Sequence, residues 1–344
     1  MSEQDTLSVE KAKSYRLRST IPLWKKALLI TLIGINQFIY LMPKPFKGAM
    51  PYFGNRIPDI LKDVESILVS GHLSQGSFQK KFESQFATLT RTKYALAVNS
   101  GGTALELVFN ALNNPGAEVI IPTDTFVASA SAARRASWKI RFADISSANL
   151  CLDIDGIEKT IKPETEAIMM VYMFGIIPAN LNELVQLCKE RNLFLIEDAS
   201  HAHGASYRGQ MIGSIGHAAC FSMYATKIIT TGEGGVITTS SEEIANRIVQ
   251  LRNHGKSLTS PLFEEISNNF RLSEIQASIG IHQLELLPEI IEHRQPVAHI
   301  YHGILSQRPD MLSCLESDPE SQHPFWRFRS TNYAPPAQKV LIPK

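Results

Sequence analysis

The chain has 344 residues, enough for one large domain plus a smaller one or for two of average size. Hydrophobic residues make up 44% and charged residues 19%, a globular composition that excludes a mainly disordered or fibrous protein. Lys and Arg number 34 against 33 Asp and Glu, a net charge of +1 without a basic stripe, so nucleic-acid binding by global electrostatics is excluded too.

In chain order, the first feature is the uncharged run 27–42 (ALLITLIGINQFIYLM), with Lys25 and Lys26 before it and Lys44 and Lys47 after it. A membrane-spanning helix needs roughly 20 apolar residues, and Asn36 and Gln37 interrupt this shorter run. Trp24 and Tyr40 at its ends suit a membrane surface, so 24–47 reads as an interfacial or partner-contacting segment, with spanning and plain packing as the alternatives. Next, Ile57, Ile60, Leu61, Val64, Ile67 and Leu68 recur at helical spacing up to Gly71. Seven short apolar runs follow, at 95–98, 118–121, 139–143, 167–173, 193–196, 219–223 and 235–239, and helical patterns such as 105–112 and 181–190 lie between many of them. Such alternation predicts an α/β fold with a mostly parallel sheet, whose ligands bind beyond the carboxyl ends of the strands. A long helical stretch over 272–293 leads to about fifty final residues with weak periodicity. Cys151, Cys188, Cys220 and Cys314 are scattered without C-x-x-C spacing, so a reducing cytoplasm is the expected compartment.

Polar residues at three predicted strand ends carry the chemistry. Asn99-Ser100-Gly101-Gly102-Thr103 opens a helix and reads either as a phosphate-binding turn or as a capped glycine turn. Glu197-Asp198 closes another strand. A carboxylate there needs a cation or several donors, met by a protonated pyridine nitrogen or by a structural cap or ion pair. His201 and His203 stand near it, but no third strong ligand has a recognisable spacing, so no metal is expected. Lys227 lies between an apolar strand and the Gly/Thr-rich loop 230–235. Apolar neighbours and a nearby cationic cofactor lower an amine's pKa and free it for nucleophilic chemistry.

The motifs 70–76 (SGHLSQG), 99–105, 121–128 (IPTDTFVA), 197–202 (EDASHA), 221–227 with 230–235, and 269–277 (NFRLSEIQA) occur in this order over 50–301. In this order they resemble the DegT-type sugar aminotransferases, a branch of the fold-type-I pyridoxal-phosphate enzymes. The resemblance implies a mostly parallel seven-stranded sheet flanked by helices, with pyridoxal 5'-phosphate as cofactor. It places Lys227 as the residue that bonds the cofactor and later moves the proton, and Asp198 as the partner of its ring nitrogen. Phe126 is implied to stack on the ring. Gly102, Thr103 and Ser222 are implied to hold the phosphate, with His201 near the ring hydroxyl. Asn269 is implied to reach the neighbouring subunit's phosphate, which makes the expected assembly a homodimer with shared active sites. Gly102 stands where the family usually has Ser or Thr, and Ile228 where it commonly has Asn.

The expected organisation is an N-terminal extension (1–49), a large cofactor domain (50–285) and a small, truncated C-terminal domain (286–344). The expected reaction moves an amino group from glutamate or glutamine to a nucleotide-linked keto sugar, for amino-sugar, polysaccharide or natural-product synthesis. Related sugar dehydratases carry His at the lysine position, so Lys227 speaks against that chemistry. The short C-terminus and the run 27–42 motivate a third reading, a membrane-associated member of weak activity serving as a regulatory or assembly subunit.

Overall fold

A computed structural model describes residues 51–307, 312–328 and 330–332 of the chain. The segment 24–47, with its expected membrane contact, lies outside the described residues. No helix among the described residues is long and apolar enough to cross a membrane.

The seven apolar runs are strands of one sheet: β1 (Tyr94–Val98), β2 (Glu118–Pro122), β3 (Lys139–Ala143), β4 (Thr165–Val171), β5 (Phe194–Asp198), β8 (Ala218–Ser222) and β9 (Gly235–Thr239). Two-residue strands β6 (Ser206–Tyr207) and β7 (Gln210–Met211) form a separate small hairpin. The order across the large sheet is β1-β9-β8-β5-β4-β2-β3, and only β9 runs antiparallel to its neighbours. Successive residues serve opposite faces. Along β1, Ala95 and Ala97 join the core on one side while Leu96 and Val98 join that on the other. Both faces are therefore covered, which is why the strands read as continuous apolar runs.

One face packs against α2 (Ser77–Thr90), α6 (Leu181–Glu190) and α8 (Glu274–Leu305), with Phe82, Phe86, Leu184 and Leu287 in the core. The other packs against α3 (Gly101–Leu112), α4 (Val127–Arg135) and α7 (Glu242–Leu251), with Leu105, Phe109, Ala133 and Ile248. Two further α-helices, α1 (Ile57–Ser70) and α5 (Ile154–Thr160), lie among the described residues. Gly71 ends α1 in the left-handed conformation (φ 70°), bonding back to the Ile67 carbonyl at 3.1 Å.

Helix α8 starts with a capping box, in which Ser273 and Gln276 each bond the other's backbone. The sequence pattern places its end near His293, yet the helix continues to Leu305 through Pro288 and Pro296. An interior proline costs about 3 kcal/mol. Burial of Leu286, Leu287, Ile290, Ile291 and Ala298 along one face offsets that cost. The chain divides into the units Met1–Met50 and Pro51–Lys344, and the expected 285/286 boundary lies inside α8. After α8, β10 (Leu312–Cys314) pairs antiparallel with β11 (Ser330–Asn332), and between them Asp318, Gln322 and Trp326 donate to the carbonyls of Ile177, Ser206 and Thr226.

Candidate active site

Strands β1, β4, β5 and β8 end around one cavity of about 650 Å³, within the range of about 300–1,000 Å³ common for small-molecule sites. At the end of β1, Ser100 caps α3. Its Oγ accepts from the Thr103 amide (3.1 Å), and its hydroxyl donates to Thr103 Oγ1 (2.9 Å). Ser100, Gly101 and Gly102 line the cavity with the amide-rich start of α3, which favours an anion. Gly101 backs onto β8 so closely that a Cβ there would lie 2.7 Å from Ser222 Cβ. Ser222 lines the cavity as well. Thr103, whose amide and hydroxyl both serve the cap, is not among the lining residues.

Asp198 ends β5 at 6% exposure. Its Oδ2 accepts from the Ser129 hydroxyl (3.0 Å) and its Oδ1 from the Ser200 amide (3.2 Å). Ser129 sits on α4 and is linked to Thr125 Oγ1 at 2.7 Å. Next to Asp198, the fully buried Glu197 accepts from the Tyr172 hydroxyl (2.8 Å) and from the amides of Gly213 (3.3 Å), Ile215 (3.0 Å) and Gly216 (2.8 Å). Four donors on one carboxylate fix the end of β5, and with it the direction of Asp198. Burial nevertheless raises the Glu197 pKa.

Lys227 follows β8 in a loop held by two bonds to the Met223 carbonyl, from the Thr230 hydroxyl (2.8 Å) and the Thr231 amide (3.0 Å). Burial lowers its pKa from 10.5 to about 8, against the pull of the Asp198 charge and with help from Arg327. The amine lies 4.8 Å from the ring centre of Trp326. That indole donates to the Thr226 carbonyl (2.8 Å) and stacks on His201, with centroids 3.8 Å apart and planes 10° from parallel. Burial, then the Lys227 charge, pushes the His201 pKa down to about 2, so the ring is neutral and its Nδ1 accepts from the Phe174 amide at 3.2 Å. Phe126 caps the start of α4 at the cavity wall and is 71% exposed.

The structure thus brings Gly102, Phe126, Asp198, His201, Ser222 and Lys227 to one cavity. Asn269 is exposed and lies outside it, its backbone bridged to Asn253. His203 stands behind the site between Phe86 and Phe221, where burial and the Lys227 charge push its pKa down to about 3. No group of His, Cys, Asp and Glu among the described residues suits a metal ion. Arg252 and Arg271 lie outside the cavity, bonded to Glu83 (2.5 Å) and Asn253 (2.5 Å). Sequence reasoning missed Ser129, Trp326 and Arg327. The i, i+4 pair Thr125 and Ser129 was the one available signal, since Trp326 lies far along the chain from Asp198.

These groups fit pyridoxal phosphate: an anion-favouring helix start without side chains in the way, a buried carboxylate for a ring nitrogen, and an amine of lowered pKa, all facing one space. Residues 56–334 match the profile of the DegT/DnrJ/EryC1/StrS aminotransferase family. The GDP-perosamine synthase of Caulobacter vibrioides is 35% identical over 289 residues, 83% of this chain and 77% of that protein. Among solved structures, S. venezuelae DesV in complex with a ketimine intermediate aligns with a TM-score of 0.77 and 30% identity, covering 83% of this chain and 78% of that one. The E. coli GDP-4-keto-6-deoxy-D-mannose-3-dehydratase with bound hydrated PLP aligns with a TM-score of 0.77 and 26% identity, over 85% of this chain and 80% of the other. The chain therefore belongs to the DegT/DnrJ/EryC1/StrS aminotransferase family and has the fold-type-I architecture of pyridoxal-phosphate enzymes.

Proposed function

We propose that this protein moves an amino group from glutamate or glutamine to a nucleotide-linked keto sugar, in the assembly of amino sugars or polysaccharides. The observation that carries this reading is the joint placement of Lys227 and Asp198 on one cavity, with the start of α3 beside them. A lysine at this position also separates it from the dehydratase chemistry of related proteins. Bound pyridoxal phosphate supplies the electron sink that lets an amine leave one carbon and join another. The chain's own residues do the rest. Lys227 would hold the cofactor through its amine and move the proton at the reacting carbon, for which a pKa of about 8 suits it. Asp198, oriented by Ser129 and Ser200, keeps the ring nitrogen protonated. Gly102 and Ser222, with Thr103 fixing the turn, would hold its phosphate, and Phe126 and the neutral His201 would flank its ring.

In this proposal the working form is a homodimer in the cytoplasm. Asn269 of each subunit completes the phosphate site of the other, which accounts for its exposure here. Trp326, held by its bond to the Thr226 carbonyl, closes one side of the cavity. The test is product formation from glutamate and a panel of keto-sugar nucleotides by the purified protein loaded with pyridoxal phosphate. Formation of 2-oxoglutarate and amino sugar in equal amounts is expected. A loaded protein that releases neither with any donor refutes the proposal and favours the regulatory-subunit reading.

A further inference from the structure

The cavity contains a second cation. Arg327 lines it next to Trp326, and its guanidinium carbon lies 4.5 Å from the centre of the Trp326 ring. The Lys227 amine lies 4.8 Å from the same ring centre, so one indole carries both cations. That indole is fixed on two sides, by its bond to the Thr226 carbonyl and by its stacking on His201. The arginine's charge also reaches the site, since it helps to lower the pKa of both Lys227 and His201.

Several other arginines are paired with carboxylates: Arg208 with Asp318, Arg247 with Glu265 and Arg252 with Glu83. No carboxylate among the described residues pairs with Arg327. Of the two acids that line the cavity, Asp198 is held by Ser129 and Ser200, and Glu233 has no ion pair among the described residues. A guanidinium offers a planar fork of donors that matches a carboxylate or a phosphate with two parallel bonds.

We propose that Arg327 binds the α-carboxylate of the amino donor, positioned for this by Trp326; the inference rests on the aminotransferase reading above. In an α-amino acid the amine and the carboxylate share one carbon. A donor that presents its amine next to Lys227 therefore has its carboxylate close by, where Arg327 stands. A nucleotide-linked sugar carries its phosphates on the anomeric carbon, several bonds from a ring carbonyl, so its anion falls further from Lys227. Arg327 also lines a second cavity of about 640 Å³ with His299, His302 and Asp318, from which a phosphate would approach. Phosphate is thus the rival anion.

The experiment titrates the pyridoxal-phosphate-loaded protein calorimetrically with 2-oxoglutarate and, separately, with UDP and GDP, using wild type, Arg327→Gln and Arg327→Lys. Cofactor uptake is followed in parallel by visible absorbance. Arg327→Gln is expected to take up the cofactor as wild type does and to bind 2-oxoglutarate about ten- to a hundredfold more weakly. Its nucleoside diphosphate binding is expected to stay unchanged, and Arg327→Lys is expected to recover part of the loss. In steady state the KM for glutamate rises while kcat changes less. Unchanged 2-oxoglutarate binding overturns the inference. So does a loss confined to UDP or GDP, which assigns Arg327 to the phosphates, or a loss of cofactor uptake in the Gln variant. If wild type itself takes up no cofactor, the aminotransferase reading falls first, and the inference with it.

Discussion

Lys227 gives a prediction in which the site's chemistry is read as stability. In the cofactor-free protein, burial lowers its pKa from 10.5 to about 8. A Lys whose folded pKa is depressed binds protons more weakly folded than unfolded, so its charge opposes folding. The penalty is fully present below pH 8, shrinks between pH 8 and 10.5, and vanishes above that. At about 1.4 kcal/mol per pH unit, the full effect is on the order of 3 kcal/mol. Lys227→Met removes the charge and keeps most of the side-chain volume. The cofactor-free variant should therefore be more stable than wild type by about 1–3 kcal/mol at pH 7, allowing for the lost contact with Trp326. The gap should close as the pH rises toward 10.5. Urea unfolding of both proteins across this range gives the two curves, and alkaline effects common to both cancel in the difference. A gap that is absent at pH 7, or does not change with pH, refutes the assignment of Lys227 as a buried amine of lowered pKa.

Three further outcomes are expected. Asp198→Asn leaves Ser129 and Ser200 a partner but removes the charge, and should lower kcat by about 10²–10³-fold, measured in single turnover. Gly101→Ala places a Cβ 2.7 Å from Ser222 Cβ, and should cost about 1–3 kcal/mol in chemical denaturation while weakening cofactor binding. If Asn269 completes the partner's site, inactive Lys227→Ala and inactive Asn269→Ala proteins should regain activity when unfolded together and refolded as a mixture, because one site of each hybrid is intact. Assay of the mixture against the separately refolded proteins checks this.

The strands were legible to within about two residues because each is a short apolar run between turns, and such runs follow from burial on both faces. The reversed direction of β9 was not legible, since Val236 and Ile237 are apolar whichever way the strand runs. The end of α8 was misplaced for a similar reason. Pro296 and the polar residues around it carry no helical signal, and long-range contacts hold the stretch: burial of Ile290, Ile291 and Ala298, and the bonds from Arg294 to the Phe325 and Trp326 carbonyls. In the site, Lys227 and Asp198 stood out because a charged residue at the end of an apolar strand needs an explanation. Trp326 and Arg327 did not, because an aromatic and an arginine in an aperiodic segment look like any surface pair. Their place in the cavity depends on a bond to Thr226 and a stack on His201, contacts that no local pattern encodes.

The most direct measurement of the central claim is amino-group transfer by the loaded wild type and by Lys227→Ala under the same conditions. With glutamate and a nucleotide-linked keto sugar, wild type is expected to release 2-oxoglutarate through many turnovers, and the variant none above background. Transfer retained in Lys227→Ala would contradict the account.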